Sequence, residues 1–201
     1  MPRIVALDPA APAAAIAQAA AVLRRGGLVA FPTETFYGLG AAALQPAAVR
    51  RLVAVKGRPE GKPFLVLVDS VAMAERVVTT VPAPARALME RHWPGALTLV
   101  LPARPSVPTE VTAGSGTVGV RVSGHPVACA LVTAVGDPIT APSANPSGRP
   151  APTTAAQVAA YFADALDLVL VGGATPGGEP STVLDVTVDP PRVVRAGAVR
   201  I

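Results

Sequence analysis

The sequence holds little that could anchor a fold through covalent bonds or a structural metal. It contains one cysteine, Cys129, so a disulfide within the chain is excluded. The two histidines, His92 and His125, form no ligand cluster with that cysteine, and we therefore expect no structural zinc. Neither histidine has the spaced Ser or Cys and Asp partners of a nucleophilic triad, which disfavours a hydrolase of that type.

Aromatic residues are also scarce: they make up 3% of the 201 residues, whereas 51% are hydrophobic. A chain of this length buries most of its apolar surface, so the core must consist mainly of Ala, Val and Leu. We expect residues 1–201 to form a single domain. The lack of rings disfavours binding of single-stranded nucleic acid, in which bases stack on aromatic side chains.

Long apolar runs are absent as well. No stretch free of charge and proline approaches the ~18 residues needed to span a bilayer. The N-terminus, MPRIVALDPAAP, has no cleavable signal pattern. These features predict a soluble, cytoplasmic protein that does not bind membranes.

Lysine is rare although the chain is basic, with a net charge of +4. Of its 17 Lys and Arg residues only two are lysines, Lys56 and Lys62, and the short window that they bound also contains Arg58. Cations this close repel one another unless an anion lies among them. A triphosphate is suited to the window, because Arg offers a bidentate fork and Lys a mobile point charge. The alternative is that these cations complement the dipole of the preceding helix.

The hydrophobic pattern predicts alternating strands and helices. Several links between them are too short for a right-handed crossover, so the strands should form a mixed sheet. Thr153 or Thr154 should cap one helix. The predicted strands are residues 3–7, 28–31, 64–68, 97–101, 117–122, 138–141, 166–171, 183–188 and 192–195, and the predicted helices are 13–25, 46–55, 71–78, 83–91, 126–135 and 153–162.

Polar segments concentrate where the predicted strands end. They are FPTETFYGLG, KGRPEGKPF, GTVGVRV and APSANPSG. In open α/β sheets ligands bind in the crevice at strand ends, although ordinary turns use the same residue types. Ser143 and Asn145 could bind phosphate oxygens or a divalent ion, or could simply form a turn. The segment GGATPGGEPST lacks the Lys of a phosphate-binding loop, so we expect a turn into a strand at Thr182, with Ser181 facing the cleft.

Five segments occur in one order along most of the chain: GGLVAFPTETFYGLG, KGRPEGKP, WPGALTLVL, VGVRVSGHP and APSANPSG. Together they closely resemble the YrdC family, whose members are threonylcarbamoyl-AMP synthases. The resemblance implies an α/β fold with a twisted, mixed parallel and antiparallel sheet, helices on both sides and a large, basic concave cavity. A longer branch of the family carries a second domain, and this sequence resembles the single-domain branch.

The family's KxR and SxN signatures fall on Lys56, Arg58, Ser143 and Asn145. The resemblance implies that Lys56 and Arg58 are catalytic, because they would neutralise charge on the leaving pyrophosphate. It implies ATP contacts at these four residues and at Lys62, Thr117, Ala151 and Arg195. L-threonine would contact Thr35, Leu67, Arg121, Ala141 and Ser181, with Arg121 facing its carboxylate; Leu67 is apolar where some relatives carry a polar residue.

The activity implied by the resemblance is formation of threonylcarbamoyl-AMP and pyrophosphate from L-threonine, bicarbonate and ATP, with Mg²⁺ accompanying the ATP. Downstream threonylcarbamoyl transferase proteins would use the product to make threonylcarbamoyladenosine in tRNA. Two alternatives stay open. One is a paralogue with another carbamoylated or carboxylated substrate, and the other is a non-catalytic module that binds tRNA or double-stranded RNA through phosphate contacts.

Overall fold

The computed structural model describes residues 2–8, 10–57, 59 and 61–201 and divides the strands between two sheets. The strands are β1 (Arg3–Ala6), β2 (Val29–Pro32), β3 (Tyr37–Gly40), β4 (Leu65–Leu67), β5 (Leu97–Pro102), β6 (Thr117–Arg121), β7 (Ile139–Thr140), β8 (Leu168–Val171), β9 (Thr182–Asp185) and β10 (Arg192–Arg195). The helices are α1 (Ala13–Arg24), α2 (Pro46–Lys56), α3 (Val71–Ala74), α4 (Ala83–His92), α5 (Thr109–Thr112), α6 (Pro126–Val135) and α7 (Ala155–Phe162), followed by a 3-10 turn at Ala163–Ala165.

Both sheets combine parallel and antiparallel neighbours, which confirms the predicted mixed pairing. The four-stranded sheet has the order β1-β8-β2-β3 and the six-stranded sheet the order β10-β9-β5-β6-β4-β7. In the first, β2 is parallel to β8 and antiparallel to β3; in the second, β5 is parallel to β9 and antiparallel to β6. β3 folds back onto β2 at the edge of the four-stranded sheet. On its other side it meets the segment at and after β7, through a bridge from Gly38 to Ser143 and a hydrogen bond from the Leu39 amide to the Pro142 carbonyl.

Small side chains allow the helices to pack closely on the core. The buried face of α1 consists of three alanines with Ile16 and Leu23, and this helix packs against α6. The buried strands supply mainly Val and Leu, as the composition predicts. Three rings are also fully buried, those of Phe31, Tyr37 and Phe64. In the described part of the chain, no helix is long and apolar enough to cross a membrane.

Several predicted boundaries differ from the observed ones for local physical reasons. β3 was not predicted, because its sequence YGLG contains two glycines, yet it is fully buried and pairs along its whole length with β2. The helix predicted at 71–78 ends at Ala74, and Val78 instead bridges to Ala103. The helix predicted at 153–162 begins at Ala155, because Thr154 caps it in a capping box with Gln157.

The end of α2 carries a side chain of the predicted site. Pro46 stands at the start of this helix, and Lys56 is its last residue. Gly57 follows in the left-handed conformation with φ 54°, which glycine adopts without a steric penalty. The helix therefore stops directly after Lys56, the first residue of the predicted phosphate-binding window.

Candidate active site

A cavity of about 880 Å³ lies against one face of the six-stranded sheet. Its volume falls within the range of about 300–1,000 Å³ typical of small-molecule sites. In the part of the chain that the structure describes, the charged residues of its lining are Lys62, Arg121 and Arg195, all of them cationic. Nine predicted site residues line it: Thr35, Lys62, Thr117, Arg121, Ala141, Ser143, Ala151, Ser181 and Arg195.

The alternation of side-chain direction along each strand explains how segments distant in sequence meet on the cavity floor. Successive side chains of a strand point to opposite faces of a sheet, so alternate residues share one face. Three neighbouring strands present such alternating sets to the cavity. They are Thr98 and Val100 of β5, Thr117, Gly119 and Arg121 of β6, and Ser181 and Val183 at β9.

Arg121 is the buried cation of this floor, with 3% of its surface exposed. Its Nη1 lies 3.6 Å from Glu34 Oε1, and its Nε has no hydrogen-bond partner among the described residues. Burial lowers the pKa of Arg121, Glu34 raises it and the nearby charge of Arg195 lowers it. Arginine nevertheless stays protonated in proteins. A buried guanidinium with an unused donor is costly unless an anionic acceptor binds, so the geometry favours a carboxylate or phosphate there.

Glu34 lies beside Arg121, in the turn between β2 and β3. Its Oε2 accepts a hydrogen bond from the Ser123 hydroxyl. Burial raises the pKa of Glu34, but the charge of Arg121 and the Ser123 hydrogen bond outweigh burial, so the pKa is lowered overall. The carboxylate is therefore ionised at neutral pH and partly balances the charge of Arg121.

Ser181 and Arg195 form a second polar group on the floor. Arg195 donates through Nε and Nη2 to the Ser181 carbonyl, at 3.0 and 2.8 Å, and through Nη2 to Ser181 Oγ at 2.9 Å. Ser181 Oγ also lies 3.2 Å from Thr98 Oγ1. Burial lowers the pKa of Arg195. The segment before β9 thus runs into the strand at Thr182 with Ser181 facing the cavity.

The turn around Thr35 is tied to the glycine-rich loop that precedes β9. The Gly177 amide donates to the Thr35 carbonyl at 2.7 Å. The Tyr37 hydroxyl donates to the Gly173 carbonyl at 2.7 Å and accepts from the Gly172 amide at 3.3 Å. Burial raises the pKa of Tyr37, although the Gly172 hydrogen bond opposes this. These links hold the loop beside the cavity.

Lys56, which is predicted to contact ATP, is not part of the cavity lining. It is buried, and its Nζ donates to the carbonyls of Ser143 and Asn145, each at 2.6 Å. The Ser147 amide donates back to the Lys56 carbonyl at 2.8 Å. Lys56 thus stabilises the turn that contains Ser143. The ammonium group has three donors on a flexible side chain, so it can reach two converging carbonyls.

Asn145 and Leu67 also lie outside the lining. Asn145 Nδ2 donates to the carbonyls of Pro146 and Arg149, at 3.0 and 2.6 Å, so this side chain shapes the turn. Leu67 pairs with Arg121 across β4 and β6 and is fully buried beside it. Neither residue is part of the cavity lining, and their ligand contacts stay predictions. Arg58, predicted to be catalytic, lies outside the described residues.

Two features of the site escaped sequence reasoning. Glu34 is part of PTET, but nothing in the sequence pairs this motif with VGVRVSG. Thr98 is the polar residue of an otherwise apolar strand, LTLVLP. A polar residue in such a strand is the sequence feature that could have identified it as part of the site. In the described chain, no group of three or more His, Cys, Asp and Glu residues could hold a metal ion.

Several known proteins resemble this chain in sequence and in structure. A family model for Sua5, YciO and YrdC proteins, described as "Telomere recombination", matches residues 21–197. A threonylcarbamoyl-AMP synthase of Bacillus subtilis is 46% identical over 185 residues, which are 92% of this chain and 54% of that protein. A threonylcarbamoyl-AMP synthase of Thiobacillus denitrificans is 42% identical over 166 residues, which are 83% of this chain and 88% of that protein.

A solved structure of Sua5 from Pyrococcus abyssi, complexed with L-threonine, has the same fold. It is 43% identical with a TM-score of 0.94, and the match covers 96% of this chain and 57% of that one. This chain spans about half the length of the Bacillus and Pyrococcus relatives, namely 54% and 53%. Since residues 21–197 match the family model, and since a relative 42% identical is covered over 88% of its length, the chain belongs to the Sua5, YciO and YrdC family.

Proposed function

We propose that the chain is a threonylcarbamoyl-AMP synthase, which forms threonylcarbamoyl-AMP and pyrophosphate from L-threonine, bicarbonate and ATP. The observation that carries the proposal is the buried guanidinium of Arg121 on the floor of the cavity, with an Nε that has no partner among the described residues. The similarity to threonylcarbamoyl-AMP synthases and the threonine complex of the Pyrococcus protein support it.

L-threonine is proposed to bind at the Arg121 end of the cavity. A guanidinium matches the two oxygens of a carboxylate, and its buried position makes that match strong. The hydroxyls of Ser181 and Thr35 lie in the same lining, as does Ala141. Leu67 would act only through packing beside Arg121, since it is fully buried.

ATP is proposed to bind along the part of the cavity lined by Lys62, Thr117, Ser143, Ala151 and Arg195. Lys62 and Arg195 supply positive charge for the phosphates. Lys56 and Asn145 would support this site indirectly, because they hold the turn that carries Ser143. We keep Arg58 as a proposed phosphate ligand on the strength of the KGR sequence.

The proposed reaction needs no enzyme nucleophile. The amine of threonine combines with bicarbonate to form a carbamate and water, and a carbamate oxygen then attacks the α-phosphorus of ATP and expels pyrophosphate. The protein would orient the two reactants and stabilise the charge that develops on the leaving pyrophosphate. Mg²⁺ is proposed to enter as part of the ATP substrate, because this ion usually stays bound to phosphate oxygens and water.

The downstream partners, the RNA contact and the cellular location are also proposed, in part from the family membership. The product would pass to downstream threonylcarbamoyl transferase proteins for threonylcarbamoyladenosine synthesis in tRNA. Direct contact with tRNA or double-stranded RNA is proposed through the basic surface, given the net charge of +4. We also propose that residues 1–201 act as one domain and that the protein works in the cytoplasm.

One assay tests the proposed function directly. The protein is mixed with ATP, Mg²⁺, bicarbonate and L-threonine, and threonylcarbamoyl-AMP is measured by mass spectrometry. Product should appear in the complete mixture and disappear when either threonine or bicarbonate is omitted. Absence of product from the complete mixture would overturn the proposal, whereas product formed equally well from another amino acid would point to the paralogue instead.

A further inference from the structure

The Ser181 hydroxyl lies between two other side chains on the cavity floor. Its Oγ accepts a hydrogen bond from Arg195 Nη2 at 2.9 Å and lies 3.2 Å from Thr98 Oγ1. Arg195 also donates to the Ser181 carbonyl through Nε and Nη2. These two bonds fix the direction from which the guanidinium donates to Ser181 Oγ. Thr98 itself is fully buried in β5.

The direction of the hydrogen bond between Thr98 and Ser181 follows from counting protons. Each hydroxyl has one proton to donate and two lone pairs to accept with. If Ser181 donated, the proton of Thr98 would be buried with no other hydrogen-bond partner among the described residues, which is costly. Thr98 therefore donates to Ser181. Both lone pairs of Ser181 Oγ are then used, one by Thr98 and one by Arg195.

We propose that Thr98 is a positioning residue for L-threonine binding: its hydrogen bond leaves the Ser181 hydroxyl able only to donate, and directs that proton to the substrate carboxylate. The inference rests on the proposed function. It adds a residue that is fully buried at the cavity floor and acts through Ser181. It also states which kind of atom Ser181 recognises, namely an acceptor and not an amine or amide NH.

Strand register supports the carboxylate as the recognised group. Leu99 of β5 pairs with Val120 of β6, so Thr98 and Arg121 lie at the same level on adjacent strands. On the other side of β5, Leu97 pairs with Thr182, the residue after Ser181. Ser181 and Arg121 thus lie on one sheet face, on either side of β5, and both line the cavity. A hydroxyl proton and a buried guanidinium that face the same cavity suit the two oxygens of a carboxylate.

The test measures L-threonine binding to the full chain by isothermal titration calorimetry. Thr98→Val removes the hydroxyl and keeps the shape of a residue suited to a strand, whereas Thr98→Ser keeps the hydroxyl. We expect T98V to raise Kd about five- to tenfold, the effect of one misdirected hydrogen bond, and T98S to restore affinity to within about twofold. Thr112→Val is the control, because among the described residues the Thr112 hydroxyl bonds only to backbone groups of Thr109 and Gly114.

Two further readouts separate positioning from a merely structural role. In the Ser181→Ala background, T98V should weaken binding no further, because Thr98 acts only through that hydroxyl. The preference for L-threonine over L-threoninamide should fall about fivefold in T98V, since Ser181 regains a lone pair that can accept from the amide. An equal loss in both backgrounds, an unchanged preference, or unchanged threonine binding by T98V would each overturn the inference. A wild-type chain that fails to bind L-threonine would instead refute the proposed function on which it rests.

Discussion

Replacing Arg121 with lysine tests the proposed carboxylate site with the smallest possible change of charge. The guanidinium is 3% exposed and presents a planar fork whose Nε lacks a partner among the described residues. Lysine would preserve the positive charge that balances Glu34, so the buried carboxylate would not be left unpaired. The substitution would lose the fork and with it one of two parallel hydrogen bonds to a carboxylate.

The expected loss follows from the strength of that bond. A hydrogen bond between charged groups contributes about 1.5–3 kcal/mol. Since 1.4 kcal/mol corresponds to a tenfold change in affinity, R121K should raise the Kd for L-threonine by about 10- to 150-fold. ATP should bind almost as before, because Arg121 is not among its proposed ligands.

Calorimetric titration of the variant with L-threonine and, separately, with ATP measures both affinities. Arg104→Lys is a matched control: the Nε of Arg104 donates to the carbonyls of Glu75 and Val78, and the residue does not line the cavity. That control should bind threonine normally. If R121K bound threonine as tightly as R104K does, the carboxylate would bind elsewhere and the argument from the buried guanidinium would be wrong.

Two other changes probe the residues that support the site. Lys56→Met leaves two carbonyls without their donor, so the free energy of unfolding in urea should fall by about 2–4 kcal/mol and the KM for ATP should rise as Ser143 is displaced; unchanged stability would contradict the assigned contacts. For Glu34, burial raises the pKa, but Arg121 and Ser123 lower it more, so the folded pKa lies below the ordinary 4.5. The stability it contributes is therefore present above about pH 5 and lost as pH falls through the lowered pKa. Glu34→Gln should flatten the pH dependence of unfolding in that acid range, and equal slopes for the two proteins would count against the pairing.

Local signals in the sequence predicted most of the helices and strands, but not how the strands are distributed between two sheets. Pro46 and Gly57 bound α2, and Gln157 completes the cap that begins α7, so these boundaries follow from nearby residues. β3 was missed because two glycines weaken its strand propensity, while its stability comes from pairing with β2. The separation into two sheets depends on which strands become neighbours, and that is decided by packing between segments distant in sequence.

The same distinction applies to the candidate site. Polar segments at strand ends indicated a cleft, and nine residues inferred from family motifs do line one cavity. The side chains that hold these residues in place were not foreseen. Glu34 and Arg121 are far apart in the chain, as are Thr98 and Ser181, and each pair forms only because the turns and strands carrying it are adjacent in the fold.

Residues of one motif therefore do not all line the cavity. Lys56 and Asn145 belong to the KGR and SAN sequences, yet both bind backbone carbonyls of the same turn, whereas Ser143 from that turn faces the cavity. A flexible ammonium suits this task, because it can donate to two carbonyls from a buried position that a rigid planar guanidinium would fit poorly. The use of lysine at residue 56 of an arginine-rich chain thus has a physical explanation. There the lysine shapes the polypeptide around the proposed nucleotide, and the cations that face the cavity are Lys62, Arg121 and Arg195 among the residues that the structure describes.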